Sequence, residues 1–260
     1  MPDDQDTDVE KGQIPTNLRL LYLMEEVARM GTPVSASHLG SALGLPKPTV
    51  HRLLQTAETE GFLQRDVDGK SYGPGHRMRK LSTNTLSSQR IRTERLRILR
   101  QLAEDVGETC NLAAPGRDGM VYLDRVETHW PLRIQLPIGT QVPFYCTASG
   151  KMYLSSLRQD KLDRLLQTLS LDKRTNRTFS ESVELRQELA LTRARGYATD
   201  NQEFMDGMMA LAVPICDDQR RLLSTLSIHV PNQRLDLDRL LAHLPRLREA
   251  RTQLEELVKA

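Results

Sequence analysis

The chain has 260 residues, of which 38% are hydrophobic, 27% charged and only 4% aromatic. That length suggests two domains, with apolar residues enough for a core in each. Its 36 basic and 34 acidic residues leave a net charge of +2, an average that argues against a nucleic-acid binder. No run of about 18 apolar residues occurs, which excludes a membrane-spanning helix. The opening MPDDQDTDVE is acidic and reads as neither a secretory signal nor a transit peptide. Cys110, Cys146 and Cys216 are odd in number and widely spaced, so they fit neither a disulfide framework nor a metal site and read as free thiols of a reducing cytoplasm.

Residues 1–13 carry Asp3, Asp4, Asp6, Asp8 and Glu10 without apolar periodicity. They read as a solvated, disordered tail, with an autoinhibitory arm that mimics DNA as the alternative. From Thr16, Leu18, Leu21, Met24 and Ala28 recur at helical spacing up to Gly31. Ser35 reads as the N-cap of a second helix burying Leu39, Ala42 and Leu43, and Gly44 as a tight turn. A third helix starts near Pro46–Pro48, where proline is tolerated because first-turn N–H groups are unpaired. It buries Val50, Leu53, Leu54 and Ala57 and ends at Gly61. Two short extended runs then flank Asp68-Gly69, a hairpin signal. Helix, helix, turn, helix, hairpin is the order of a winged helix-turn-helix, placed at 14–78.

A basic segment follows. His76 to Arg100 holds eight basic residues against the single acid Glu94. Leu96, Leu99, Leu102 and Val106 repeat at helical spacing, so residues 79–106 read as a linker with an amphipathic helix from about residue 86 to Gly107. Beyond it, at 107–260, the period changes. Thr109–Ala113 and Met120–Val126 read as a hairpin, and Leu132–Leu136 as a third strand. Helices are expected at Ala148–Leu157, Asp160–Leu169 and from a Ser180 or Ser182 cap to Gly196. A second hairpin pairs Met208–Ile215 with Leu222–Val230, and a last helix covers Asp236–Val258. Strands and helices without regular βαβ repeats indicate an α+β domain on an antiparallel sheet.

On the third helix the apolar set faces inward, which leaves Lys47, Thr49, His51, Arg52, Gln55 and Thr56 outside. These types suit a major groove: Arg52 can be bidentate to guanine and Gln55 to adenine, while Lys47 and Thr49 can hold phosphate. Arg65 and Lys70 on the wing can reach the backbone or minor groove. Residues 11–82 hold ten basic and six acidic residues, the sign a DNA partner requires.

Gly44-Leu45-Pro46-Lys47-Pro48-Thr49-Val50-His51-Arg52-Leu53-Leu54 resembles the recognition-helix signature of the IclR family of bacterial transcriptional regulators. The likeness continues, in order, through Val121-Tyr122-Leu123-Asp124-Arg125-Val126, Pro137-Ile138-Gly139, Thr147-Ala148-Ser149-Gly150-Lys151 and Arg195-Gly196-Tyr197-Ala198. It covers roughly residues 14–258. The resemblance implies a dimerising winged helix, a linker helix and a C-terminal GAF-like α+β effector-binding domain with an antiparallel sheet. It implies dimers or dimers of dimers on palindromic operators of catabolic operons, controlled by small organic metabolites, with no metal or organic cofactor.

Thr147 reads as an N-cap followed by the small residues Ala148, Ser149 and Gly150, whose accessible N–H groups make an anion site. The resemblance puts the effector's carboxylate at this turn. It further implies apolar walls at Ile134 and Val142, a polar contact at Asp200, a lining strand at Met208 and Ala210, and two contacts at Ser227 and His229. The chain departs from the family pattern where His229 replaces a common Ser, Ala210 a common Cys and Tyr145 a frequent His. This favours a small acid or one with a second polar group. Two other readings stay open: an enzyme with Cys146 as nucleophile, Asp200 as orienter and His229 as base, and a DNA-binding protein that needs no ligand.

Overall fold

The computed structural model describes residues 14–86, 89–131 and 136–259. The acidic tail, the linker residues 87–88, and most of the expected Leu132–Leu136 strand, Ile134 included, lie outside them. The chain forms two compact units with the boundary after Leu86.

In the first unit, α1 (Arg19–Met30), β1 (Val34–Ser35), α2 (Ala36–Leu43), α3 (Lys47–Thr59), β2 (Leu63–Arg65), β3 (Ser71–Pro74) and α4 (His76–Leu86) follow in order. The strands form a small sheet, β1-β3-β2. Ser35 caps α2 by accepting from the N–H of His38 at 3.3 Å. Gly31 and Gly44 end α1 and α2 at φ of 62° each, a left-handed conformation that glycine adopts without steric penalty. The core joins Leu23 and Val27 of α1 to Leu39, Val50, Leu53, Leu54, Ala57, Leu63 and Tyr72. Of the apolar residues recurring in α1, Leu21 and Ala28 turn outward. Leu21 is 49% exposed and Ala28 is exposed, because this leucine-rich helix offers two apolar faces and the core takes Leu20, Leu23, Val27 and Met30. Ala42, expected inside, is exposed as well. At the wing tip, Asp68 accepts from the N–H groups of Lys70 and Ser71, both at 2.8 Å.

The second unit begins with α5 (Gln89–Val106). Ile98, Leu99, Leu102, Ala103 and Val106 pack into a core with the main sheet, so this helix is built into the second unit. The rest comprises β4 (Thr109–Pro115), β5 (Met120–Val126), β6 (Gln141–Val142), α6 (Ala148–Ser156), α7 (Gln159–Thr168), α8 (Ser182–Arg195), β7 (Ala198–Asn201), β8 (Met208–Cys216), β9 (Leu222–Pro231), α9 (Leu237–Leu241) and α10 (Leu244–Lys259). Six antiparallel strands run in the order β6-β5-β4-β9-β8-β7. The two expected hairpins, β4–β5 and β8–β9, are joined by the long-range β4–β9 pairing, with Asn111 opposite Ser227 and Thr109 opposite His229. The expected single last helix is broken between α9 and α10. Pro245, near the start of α10, cannot follow Leu241 in one helix, since its ring would meet that carbonyl. Neither serine caps α8; the N-cap position is Glu181, with Glu184 in the first turn complementing the helix dipole.

Alternation gives the sheet two different faces. Cys110, Leu112, Leu211, Val213, Ile215, Leu226, Ile228 and Val230 face one way, into a core with α5 and α10. The opposite face is small and polar. There Ala198, Ala210 and Ala212 receive Ala148 and Met152 of α6.

Candidate functional site

In the first unit, α3 presents Lys47, His51, Arg52, Gln55 and Thr56 to solvent, with Thr49 half-buried. The heads of Lys47, His51, Arg52 and Gln55 make no hydrogen bond or ion pair among the described residues, while Thr56 bonds back to the Arg52 carbonyl at 3.0 Å. Arg65 is committed within the unit. It pairs with Glu58 at 2.8 Å, donates to the Gly69 carbonyl at 3.0 Å and lies over the Tyr72 ring at 5.0 Å. These contacts brace the wing, from whose tip Lys70 extends.

In the second unit, the polar sheet face gathers Ser227, His229, Ala210 and Asp200 in two adjacent rows. One row runs Arg125, Asn111, Ser227, Ala212 and Ala198 across five strands; the other runs Thr109, His229, Ala210 and Asp200 across four. Met208 lies on the same face as Ala210, two residues along β8. Ser227 Oγ and His229 Nε2 are 3.1 Å apart, and Tyr122 meets the His229 ring edge-on at 6.2 Å. Burial, with the Arg125 charge second, lowers the His229 imidazole to about 3, so it is neutral. Asp200 accepts from the N–H groups of Glu203 at 2.7 Å and Phe204 at 3.3 Å. Burial and then the charge of Glu203 nevertheless raise its carboxyl to about 7.

Helix α6 enters against this face. Thr147 is its N-cap, accepting from the N–H of Gly150 at 3.0 Å while its own hydroxyl donates to the Pro143 carbonyl at 2.7 Å. Ala148 and Ser149 are buried. Their N–H groups find no acceptor among the described residues, and the Ser149 hydroxyl is unpaired too. Val142 sits apart from the alanine patch, in the core with Met120, Tyr122 and Phe144.

Sequence reasoning missed Lys151 and its partners. Lys151 is 1% exposed, 2.6 Å from Glu203 Oε1 and 3.6 Å from Glu188 Oε1, with its ammonium over the Phe179 ring. Burial raises the Glu203 carboxyl, and Lys151 opposes that shift. Asn111 and Arg125 were also missed. The signal for Asn111 was present, since Thr109 and Asn111 alternate with the apolar Cys110 and Leu112.

The Cys146 thiol is not an activated nucleophile. Burial, with the Asp200 charge second, raises it to about 12, and the ring partner of His229 is Ser227. All three cysteines are free. Among the described residues no His, Cys, Asp and Glu side chains cluster as a metal site would need, and no helix is long and apolar enough to cross a membrane.

A winged helix-turn-helix joined to an α+β unit with an antiparallel sheet defines a DNA-binding transcriptional regulator. Residues 18–67 match the IclR helix-turn-helix domain and residues 83–256 the bacterial transcriptional regulator IclR C-terminal domain; the chain belongs to the IclR family. It is 38% identical over 242 residues to the "Probable transcriptional regulator SauR" of Cupriavidus necator, covering 93% of this chain and 95% of that protein. It is 31% identical over 230 residues to the "Transcriptional repressor IclR" of Escherichia coli, covering 88% and 84%. The crystal structure of the Thermotoga maritima IclR superposes with a TM-score of 0.62 at 25% identity, covering 93% of this chain and 97% of that one. These relatives are regulators of transcription, not enzymes, which sets aside the catalytic reading.

Proposed function

We propose that the chain is a cytoplasmic repressor whose hold on DNA is controlled by a small organic carboxylate, with the carboxylate docked on the first turn of α6. The observation that carries this is the pair of buried, unpaired N–H groups at Ala148 and Ser149. Buried backbone donors are almost always satisfied in folded proteins, and at a helix N-terminus an anion satisfies them while meeting the positive end of the dipole. Met208, Ala210, Ser227, His229 and Asp200 line the sheet side of the site, and Val142 backs it as an apolar wall through Tyr122, which meets His229. Lys47, Thr49, His51, Arg52, Gln55 and Thr56, with Arg65 and Lys70 on the wing, form the DNA-reading face. Dimers, or dimers of dimers, engage a palindromic operator of a catabolic operon. The sign of regulation follows the repressor among its relatives.

Effector binding shifts the protein between states of different DNA affinity, and a coupling of about 1–3 kcal/mol, or 5–150-fold, suffices. The test is calorimetry against a panel of small aliphatic and aromatic carboxylates, followed by mobility shift on the promoter of the protein's own locus. A carboxylate that binds and releases DNA supports the reading. Unchanged DNA binding with every acid silent replaces it with ligand-independent regulation.

A further inference from the structure

Asn111 carries a donor that no described residue uses. It lies on β4 on the polar face of the sheet and is wholly buried. Arg125, opposite it on β5, donates from Nη1 to Asn111 Oδ1 at 2.9 Å. A guanidinium has donors only, so this bond fixes which end of the amide is oxygen; the flipped amide would set N–H against N–H. Nδ2 is thereby turned away from Arg125, and it has no partner among the described residues. On the other side, Ser227 faces Asn111 from β9. Its hydroxyl reaches the Asn111 backbone carbonyl at 3.5 Å and His229 Nε2 at 3.1 Å, leaving the amide unmatched. A buried polar group without a partner in a native fold calls for an occupant.

The surroundings say which kind. Arg125 is the cation in the row; its Nε is held by Glu127 at 3.0 Å, and its charge is felt at both Tyr122 and His229. The same face carries, two strands further on, the alanine patch on which the first turn of α6 rests. Two sets of unpaired donors therefore address one sheet face, the α6 turn from above and Asn111 within the sheet.

We infer that Asn111 is a second ligand-binding residue, so that the effector is a two-headed acid: one carboxylate on the α6 turn and a second anionic or strongly accepting group on the Asn111 amide. This rests on the α6 site proposed above. Arg125 is then a positioning residue, which holds the amide with its donor free.

Titration calorimetry with malonate and succinate, against acetate and propionate, tests this on the full chain. Wild type is expected to bind at least one of the diacids about tenfold or more tighter than the monoacids. Asn111→Asp keeps the size of the side chain and its bond to Arg125 but replaces the free donor by an acceptor. It should abolish the preference, and the uncharged Asn111→Ser should do the same, which separates loss of the donor from repulsion by a new carboxylate. Ala148→Pro removes one α6 donor at a helix position that tolerates proline, and it should weaken both classes. Equal binding of monoacids and diacids by wild type overturns the second site and leaves the α6 reading standing, as does a preference untouched in Asn111→Asp. A preference lost in Asn111→Asp but indifferent to Ala148→Pro overturns the α6 reading alone. Silence from all four acids at millimolar concentration overturns both.

Discussion

Asp124 on β5 and Arg95 on α5 form an ion pair of 2.5 Å between side chains that are 0% and 6% exposed, and Arg92 reaches the same carboxylate at 3.0 Å. Removing one partner of a buried pair leaves the other charge uncompensated, at a cost of about 3–5 kcal/mol. Asp124→Ala should therefore lower the stability of the second unit by about that much. Replacement of Asp124 and Arg95 together by leucine and methionine should recover much of the loss. Urea denaturation checks both, and a double variant no better than the single one would refute the ion-pair account.

Arg52 projects from α3 with its guanidinium uncommitted, and the apolar residues beneath it are unaffected by its removal. Arg52→Ala should leave the melting temperature unchanged and weaken specific DNA binding by about 1–3 kcal/mol, or 5–150-fold. Mobility shift at fixed salt measures it. Lys70→Ala, at a wing-tip position suited to phosphate, should instead weaken specific and non-specific DNA alike and reduce the salt dependence.

Two titrations inside the second unit oppose each other. The Asp200 carboxyl is raised from 3.8 to about 7, so the folded chain holds a proton there that the unfolded chain releases. Its contribution to stability is fully present below pH 3.8 and is lost as pH rises to about 7. The His229 imidazole is lowered from 6.5 to about 3, so its contribution is present above pH 6.5 and lost as pH falls. Between about pH 4 and 6.5 the slopes cancel, each being about 1.4 kcal/mol per pH unit. Relative to wild type, Asp200→Asn should lose stability as pH falls through that window and His229→Gln should gain it. Chemical denaturation at pH 4.5, 5.5 and 6.5 reads both signs.

Gly150 permits α6 to begin where it does. A β-carbon at this position would overlap the backbone of Phe144, which has no rotamer with which to yield. Gly150→Ala should cost about 1–3 kcal/mol or more and displace the turn carrying the unpaired N–H groups. Gly196 is a matched control: its φ is 73° but open space surrounds it, so alanine there costs only backbone strain of about 1–2 kcal/mol and should spare any carboxylate binding that Gly150→Ala removes.

What the chain made legible was local. The stripe Val50, Leu53, Leu54 and Ala57 has one possible inward face on a helix, Asp68-Gly69 has one economical turn, and Thr147 stands ahead of three small residues. Where a segment had two ways to bury itself, as in α1, only the neighbouring helices decided between them. The β4–β9 pairing joins residues more than a hundred positions apart, and no local pattern encodes it. Lys151 lay beyond reach for a related reason. A lysine on a helix is ordinarily solvated, and its burial follows from Glu188 and Glu203, which two other segments bring to it. Asn111 could have been found, had the alternation in β4 been read as polar inward rather than merely as a strand.

The two unlike faces of the central sheet separate what must be kept from what can be changed. Leu211, Val213 and Ile228 anchor the domain against α5 and α10, whereas Ala210, Ala212 and His229, their immediate neighbours along the same strands, meet a different environment. A substitution at one of the second set alters the shape and polarity of that face while every strand stays clamped from behind. The character of that face can thus be altered one residue at a time on a scaffold that does not have to be rebuilt.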